Sequence, residues 1–405
     1  MGLGPRHSFT PFFKKGFLRH RSKRWRLYQV LSLGLVLVVC LGVDFAVRRI
    51  YLKFENKPGG RVADPVFDHG IRPNCAWKDR YGRYEAPYFS NSLGFRDSRI
   101  RDVPLSSDHP RILLIGDSFT DGVGVPWEDT FAGQLEKALA PMGIEVLNAG
   151  CNSYTPILSR IKIRYLIEKV GLHFDQVFLF LDMSDLKDEL FYEEDDQGRA
   201  RLIPYGPFAS QAGWGTRVEE WSEISENWIE PNFVVLGAVS RNLKLWLRKA
   251  TRKELGKRGL FTNQAPPVWM LQWEEYDGPE RPVITDGVEK LKRSIGDLSR
   301  FLRARGIPLT LVVYPYPFHV LRGGRDASVV KIWRPWCKEQ GISFLDLFPE
   351  FVGVGAGPET VATYYLQDDC HWNAAGHRKV ATTLLQKSEM LKSMTHPHSR
   401  PKTSQ

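Results

Sequence analysis

The sequence predicts an α/β protein built on a doubly wound parallel sheet. Short apolar runs, such as residues 112–115 and 177–181, have the length and composition of strands that are buried on both faces. Stretches with helical periodicity separate these runs, and this alternation is typical of βαβ units. The chain has 405 residues, of which 42% are hydrophobic and 25% charged, so it can bury a core of globular size.

The N-terminal part of the chain predicts a membrane anchor. Residues 1–26 carry eight lysines and arginines and no acidic residue, and residues 27–47 are almost continuously apolar with Asp44 as the only charge. A transmembrane helix needs about 20 residues. No small-x-small cleavage site follows, which favours an uncleaved signal anchor over a cleaved signal peptide. The positive-inside rule places the basic flank in the cytoplasm and predicts a single-pass inner-membrane protein with its folded domain on the periplasmic side.

The net charge of +10 does not indicate nucleic-acid binding. Most of the excess lies in residues 1–26 and in the polar, basic tail at 396–405, which is predicted to be disordered. The body of the chain has no basic stripe interleaved with aromatic residues. Gly122-Val-Gly124 lacks the lysine of a phosphate-binding loop. We therefore expect no nucleic-acid partner.

Residues 48–109 show little periodicity and are predicted to be a juxtamembrane segment. Within them, residues 91–97 (NSLGFRD) form a turn-like motif. Its polar side chains could fold back on a functional site, or it could be a capped surface turn.

From residue 110 to residue 395 we expect the α/β domain. Its elements are predicted as strands at 112–115, 145–148, 177–181, 309–314 and 342–347, and as helices at 127–140, 157–170, 288–304, 328–340 and 374–391. Thr155-Pro156 is a good helix start, and Pro335 interrupts the fourth helix. Residues 190–282 break the alternation as an insertion, with six tryptophans and a helical piece near 234–248. This insertion is predicted to be a lid or substrate-binding subdomain, or else a small core of its own.

A serine follows the first strand at the place where such sheets bind ligands. Gly116-Asp117-Ser118 comes directly after residues 112–115, and open parallel sheets bind ligands at the carboxyl ends of their strands. Ser118 is therefore either a nucleophile or only the cap of a helix.

A second polar motif precedes the last predicted helix. It reads Asp368-Asp369-Cys370-His371, and it can meet Ser118 at the same edge of the sheet. A serine hydroxyl becomes a good nucleophile only when a histidine takes its proton, and a carboxylate orients that histidine. The amides of Ser118 and Gly150 are the candidate donors to an oxyanion.

These motifs together resemble the SGNH (GDSL-type) hydrolase superfamily. Gly116-Asp-Ser118 is similar to its first block, Asn148-Ala-Gly150 to its second, and Asp368-Asp-Cys-His371 to its Asp-x-x-His block. The resemblance implies a flavodoxin-like sheet, a Ser-His-Asp triad, an oxyanion hole, and esterase or acyltransferase activity without a metal or another cofactor.

Two positions depart from the family pattern or leave it open. The family usually has Gly-x-Asn-Asp in its third block, and here Asp182-Met-Ser184-Asp185 stands there. Ser184 would then replace the asparagine as an oxyanion donor, with a shorter reach. Asp368 has the family spacing to His371 and is the expected triad acid. Asp369 is the alternative, because it has the Asp-x-His-Trp spacing of the related alginate-acetylation proteins.

The cysteines leave their pairing open. Cys40 lies in the apolar run, and four others lie outside it: Cys75, Cys151, Cys337 and Cys370. Four cysteines allow three connectivities in an oxidising compartment. A bond between Cys151 and Cys370 at the rim of the site is one hypothesis, and small buried thiols are the other.

The sequence thus predicts a membrane-anchored extracytoplasmic serine esterase or O-acyltransferase. Its expected substrates are acyl esters, acetyl esters among them, of an envelope glycan or lipid. The alternative is a non-catalytic envelope protein that binds a glycan or a protein partner in the same cleft.

Overall fold

The computed structural model describes most of the chain outside the predicted insertion. The described residues are 16–54, 60–203, 233, 236, 239, 281–323, 328–353, 357–388 and 391. The chain divides into two compact units, Met1–Asn56 with Ala212–Thr251, and Lys57–Gln211 with Arg252–Gln405. The six tryptophans of the insertion, nearly all of its predicted helix and the tail at 396–405 lie outside the described residues.

The first unit contains helix α1 (Gly16–Phe54), which includes the predicted anchor. Trp25–Val47 is long and apolar enough to cross a membrane, and its side chains are almost all exposed. A helix of 23 residues extends about 35 Å at 1.5 Å per residue, and the hydrocarbon core of a bilayer is about 30 Å thick. Asp44 in this span is buried and accepts a hydrogen bond from the amide of Leu236 at 2.8 Å.

The second unit contains the α/β domain. Its described strands are β1 (Arg61–Asp64), β2 (Asp68–Ile71), β3 (Ala76–Tyr81), β4 (Tyr84–Ser90), β5 (Arg96–Asp97), β6 (Arg111–Ile115), β7 (Glu145–Asn148), β8 (Gln176–Leu181), β9 (Tyr192–Glu194), β10 (Ala200–Leu202), β11 (Leu309–Val313) and β12 (Ser343–Asp346). Its described helices are α2 (Ser118–Asp121), α3 (Phe131–Leu139), α4 (Pro156–Tyr165), α5 (Asp185–Asp188), α6 (Arg281–Arg303), α7 (Pro317–Leu321), α8 (Ser328–Gln340), α9 (Phe348–Phe351), α10 (Pro358–Tyr364) and α11 (Ala374–Lys387).

Five parallel strands form the centre of an eight-stranded sheet. The order across the sheet is β12-β11-β8-β6-β7-β5-β4-β3, and neighbours from β12 to β7 are parallel. These five strands thus follow the flavodoxin-like order 2-1-3-4-5. Every residue of β6, β8 and β11 is buried, which agrees with their largely apolar composition. The predicted fold class is confirmed, and each predicted strand is present within two residues of its expected bounds.

The predicted helices are present with different ends. The first begins as a short 3₁₀ turn at Trp127–Asp129, and α3 starts after Thr130, whose hydroxyl accepts from the amide of Gly133 at 3.0 Å. A π-helical turn at Leu166–Val170 follows α4. Pro335 lies inside α8 without ending it.

The segment 48–109 differs most from its prediction. Strands β3 and β4 pair as an antiparallel hairpin, and β5 joins this hairpin to β7 through the pair Arg96 and Asn148. The central sheet therefore includes residues outside the predicted α/β domain of 110–395. Their signal is weak because these edge strands mix charged and aromatic side chains instead of forming an apolar run.

Candidate active site

The strand-to-helix turn after β6 presents Ser118 at the carboxyl edge of the sheet. Gly116 allows this turn, since a Cβ at that position would lie 2.5 Å from the hydroxyl of Thr120. Asp117 caps α2 by accepting a hydrogen bond from the amide of Phe119 at 3.0 Å. Ser118 is the first residue of α2, so its hydroxyl stands beyond the end of the strand.

Ser118 and His371 are in direct contact although 253 residues separate them in the chain. The hydroxyl oxygen of Ser118 lies 2.7 Å from Nε2 of His371. Both residues are buried, with exposed fractions of 8% and 5%. This is the geometry in which a histidine can accept the serine proton.

Asp369 supplies the carboxylate behind the imidazole. Its Oδ1 lies 2.5 Å from Nδ1 of His371 and also accepts the backbone amide of His371 at 3.0 Å. Burial alone would raise the pKa of Asp369, but the hydrogen bonds from His371 outweigh burial and lower it. Ser118, His371 and Asp369 therefore form a hydrogen-bonded relay with an ionised acid at its end.

The prediction that Asp368 contacts His371 is wrong. The backbone of Asp368 is left-handed, with φ of 60°, and its side chain is turned to the surface. There its Oδ2 accepts a hydrogen bond from Arg83 at 2.6 Å. Because the chain turns at Asp368, it is Asp369, the alternative acid, whose carboxylate lies next to the imidazole.

Two aromatic rings fix the imidazole from its sides. Phe119 packs on His371 with ring centroids 4.6 Å apart, and Tyr81 meets it edge-on at 4.8 Å. Tyr81 comes from the β3–β4 hairpin, which the sequence pattern does not predict. Arg83 and Tyr84 of the same hairpin bind Gln367, so the hairpin holds the loop that carries His371.

The candidate oxyanion donors differ in availability. The amide of Ser118 donates no hydrogen bond within the part of the chain that the structure describes, as expected for a first helical residue. The amide of Gly150 donates to the side chain of Asn148 at 3.1 Å. Gly150 has to be glycine, because a Cβ there would lie 2.9 Å from the amide nitrogen of Asp121.

Ser184 does not present its hydroxyl as a free donor. Both its hydroxyl and its amide donate to Oδ1 of Asp182, at 2.8 and 2.7 Å. A hydroxyl has a single proton, so this bond occupies the donor that was expected to replace the family asparagine. Ser184, like Gly150, would have to exchange an existing bond to donate to an oxyanion, and its role as an oxyanion donor stays a prediction.

A buried carboxylate cluster (Asp117, Asp182 and Asp185) lies behind the relay. Asp182 also accepts the hydroxyl of Tyr316 at 2.5 Å. Burial, reinforced by the neighbouring charge of Asp182, raises the pKa of Asp117 and of Asp185 well above the usual range.

The loop after Ser118 is held by the N-terminal strands. The buried guanidinium of Arg96 donates to the carbonyl oxygens of Asp121, Gly122 and Val125 at 2.5–2.6 Å. The carboxylate of Asp121 binds Arg61 and, at 2.6 Å, the hydroxyl of Tyr88. The motif at residues 91–97 thus folds back on the site, as one interpretation of the sequence expected.

The donor atoms of Asp369, Cys370 and His371 lie within 4.8 Å of one another, which is a spacing that could hold a metal ion. Two of these atoms are already joined by the hydrogen bond between Asp369 and His371. Burial raises the pKa of the Cys370 thiol, and a protonated thiol is a poor metal ligand. All five cysteines are free, so the structure contradicts the hypothesis of a bond between Cys151 and Cys370.

The parallel sheet and the contact between Ser118 and His371 have the arrangement of an α/β hydrolase site. Residues 114–379, about two thirds of the chain, match the GDSL-like lipase/acylhydrolase family. The protein belongs to this family and is an enzyme that hydrolyses ester bonds. None of the curated proteins matches its sequence.

The chain is also similar to several solved structures. LAE5, an α/β hydrolase from the metagenome of Lake Arreo, Spain, is 13% identical with a TM-score of 0.37, covering 71% of this chain and 98% of its own. TesA is 12% identical with a TM-score of 0.36, covering 69% and 99%. The acetylxylan esterase Axe2 from Geobacillus stearothermophilus is 14% identical with a TM-score of 0.35, covering 70% and 95%.

Proposed function

We propose that the protein is a membrane-anchored serine esterase or O-acyltransferase that acts outside the cytoplasm on acyl esters of an envelope glycan or lipid. The relay of Ser118, His371 and Asp369 carries this proposal, because its two contacts of 2.7 and 2.5 Å are those of an activated serine. The apolar helix Trp25–Val47, preceded by a basic flank, supports the anchored location.

In the proposed mechanism Ser118 attacks the ester carbonyl while His371 accepts its proton. Asp369 holds the imidazole in the tautomer with the proton on Nδ1 and stabilises the imidazolium. The imidazolium then gives its proton to the departing alkoxide, which leaves an acyl-enzyme on Ser118. Water or a sugar hydroxyl attacks this acyl group, His371 accepts the new proton, and Ser118 is released with the proton returned to it.

The developing oxyanion needs donors during both steps. The amide of Ser118 is the available one among the described residues. The amide of Gly150 is the second candidate, and it would exchange its bond to Asn148 for a bond to the oxyanion. Each donor of this kind is worth about 3 kcal/mol in the transition state.

The test is the replacement Ser118→Ala in the detergent-solubilised full chain. We expect hydrolysis of p-nitrophenyl acetate to fall at least about 10³-fold, because the hydroxyl is the nucleophile. A fluorophosphonate probe should label the unmodified protein and leave the Ser118→Ala variant unlabelled. Labelling that is absent from the unmodified protein would contradict the proposal and favour the alternative, a binding role for the same cleft.

Hydrolysis and transfer are distinguished by the acceptor. An acyltransferase should release p-nitrophenol faster when an oligosaccharide is added and should yield the acylated sugar by mass spectrometry. An esterase should release acetate at a rate that the sugar does not change.

A further inference from the structure

A buried lysine binds the backbone next to Gly150 and has no part in the relay. Lys162 lies on α4 with only 2% of its surface exposed. Its Nζ donates to the carbonyl oxygen of Ala149 at 3.0 Å, and no other hydrogen bond to this ammonium is found within the described part of the chain. A buried cation with one acceptor is costly, and an apolar side chain would fill the same space at lower cost.

Three aromatic rings surround the ammonium in place of water. The centroids of Phe67, Phe95 and Tyr154 lie 5.3, 5.4 and 4.8 Å from Nζ. Such contacts stabilise a desolvated cation. Burial lowers the pKa of Lys162 to about 8. Attraction to more distant negative groups raises this pKa and keeps the decrease from being larger. The side chain therefore remains largely protonated at neutral pH.

The acceptor of Lys162 belongs to the peptide that carries the amide of Gly150. In a planar trans peptide the carbonyl oxygen and the N–H point in opposite directions. A cation bound to the oxygen of Ala149 consequently fixes the direction of the Gly150 N–H. It also polarises the peptide and makes this N–H a stronger donor, because hydrogen bonds in a chain strengthen one another.

We propose that Lys162 is a positioning residue of the oxyanion hole, whose ammonium fixes and polarises the Ala149–Gly150 peptide so that the Gly150 amide can donate to the substrate oxyanion. This proposal rests on the proposed esterase function. It explains why a cation is kept in an apolar cage directly behind the second block of the family motif.

The test compares Lys162→Met with Ser159→Ala. Ser159 lies on the same helix, is fully buried and has a hydroxyl that finds no hydrogen-bond partner among the described residues, so it controls for a change in the packing of α4. For Lys162→Met we expect kcat on p-nitrophenyl acetate to fall about 10–100-fold. This fall is smaller than the one expected when an oxyanion donor is removed completely. KM should stay within about twofold, because the oxyanion hole binds the carbonyl oxygen of the ground-state substrate only weakly.

A transition-state analogue provides the readout that a merely structural role would not change. A trifluoromethyl ketone forms an alkoxide adduct with the serine, and its inhibition constant should rise by the same factor by which kcat falls. Ser159→Ala should change neither quantity. Lys162→Gln, which keeps a neutral donor, provides a second variant and should show a smaller loss of the same kind.

Different results would overturn the role of Lys162 and the esterase function. A folded Lys162→Met or Lys162→Gln variant with the unmodified kcat and inhibition constant would overturn the role of Lys162, while fluorophosphonate labelling of Ser118 would persist. Absence of labelling in the unmodified protein would instead reject the esterase function itself. A fall in kcat without any change in the inhibition constant would also overturn the proposal, because it would indicate damage elsewhere in the site.

Discussion

At the scale of single residues, the backbone decides which carboxylate joins the relay. Asp368 and Asp369 are neighbours, but the left-handed conformation of Asp368 turns its side chain to Arg83. Left-handed backbone is uncommon for residues other than glycine, and aspartate is one of the residues that tolerate it. The sequence spacing to His371 does not show this conformation, which is why the sequence favours Asp368 and the structure places Asp369 next to the imidazole.

We expect Asp369→Asn to reduce kcat/KM about 10³–10⁴-fold, because an asparagine stabilises the wrong imidazole tautomer. Asp368→Asn is the matched control and should stay within about threefold, since its bond to Arg83 is an exposed ion pair of little energetic weight. Steady-state hydrolysis of p-nitrophenyl acetate measures both. A larger loss in Asp368→Asn than in Asp369→Asn would reverse the assignment.

The residues of the site differ in how visible they are in the sequence. Ser118, Gly150 and His371 are recognisable because each lies in a short motif next to a strand or before a helix. Lys162 is not, because on an amphipathic helix a lysine is expected to face solvent. Its burial depends on Phe67, Phe95 and Tyr154, which reach it from other parts of the chain.

At the scale of elements, the β3–β4 hairpin is part of the active site. The central strands are predictable because they are short apolar runs buried on both faces. The hairpin is not, because its half-exposed strands contain Lys78, Arg80, Glu85 and Pro87. The pairing of β4 with β5, which in turn pairs with β7, is a tertiary effect that decides the structure of the hairpin. Yet this element supplies the ring that meets His371 edge-on.

We expect Tyr81→Ala to lower kcat about 2–10-fold, because an aromatic contact of this kind is worth about 0.5–1.5 kcal/mol and its loss frees the imidazole. Tyr81→Phe keeps the ring and should retain the unmodified kcat. Single-turnover release of p-nitrophenol reports the acylation step directly. Equal losses in the two variants would show that the hydroxyl, and not the ring contact, is the important group.

At the scale of the whole molecule, the buried acids make stability depend on pH. Asp188 on α5 adds to the carboxylate cluster, and burial together with the charge of Asp182 raises its pKa to about 6. An unfolded aspartate titrates near 3.9, so the folded state holds this proton more tightly. The stabilising contribution is fully present below about pH 4 and is lost as the pH rises through about 6.

We therefore expect Asp188→Asn to raise the free energy of unfolding at pH 7 by about 1 kcal/mol, after allowance for the solvent contact of this side chain. The variant and the unmodified protein should be equally stable at pH 4. Urea unfolding of the solubilised protein at pH 4, 5, 6 and 7 measures this difference. Asp196→Asn, on the exposed turn between β9 and β10, is the control, and a pH-independent gain in Asp188→Asn would contradict the explanation.

The separation of Ser118 and His371 along the chain has a consequence for biosynthesis. Contacts across 253 residues form slowly, because a long loop must close before they contribute energy. All eight strands of the sheet have left the ribosome once residue 346 has emerged, whereas His371 comes later. A chain that has emerged only as far as residue 346 can thus complete its sheet without His371, and under the proposed mechanism Ser118 is inert until His371 has emerged as well.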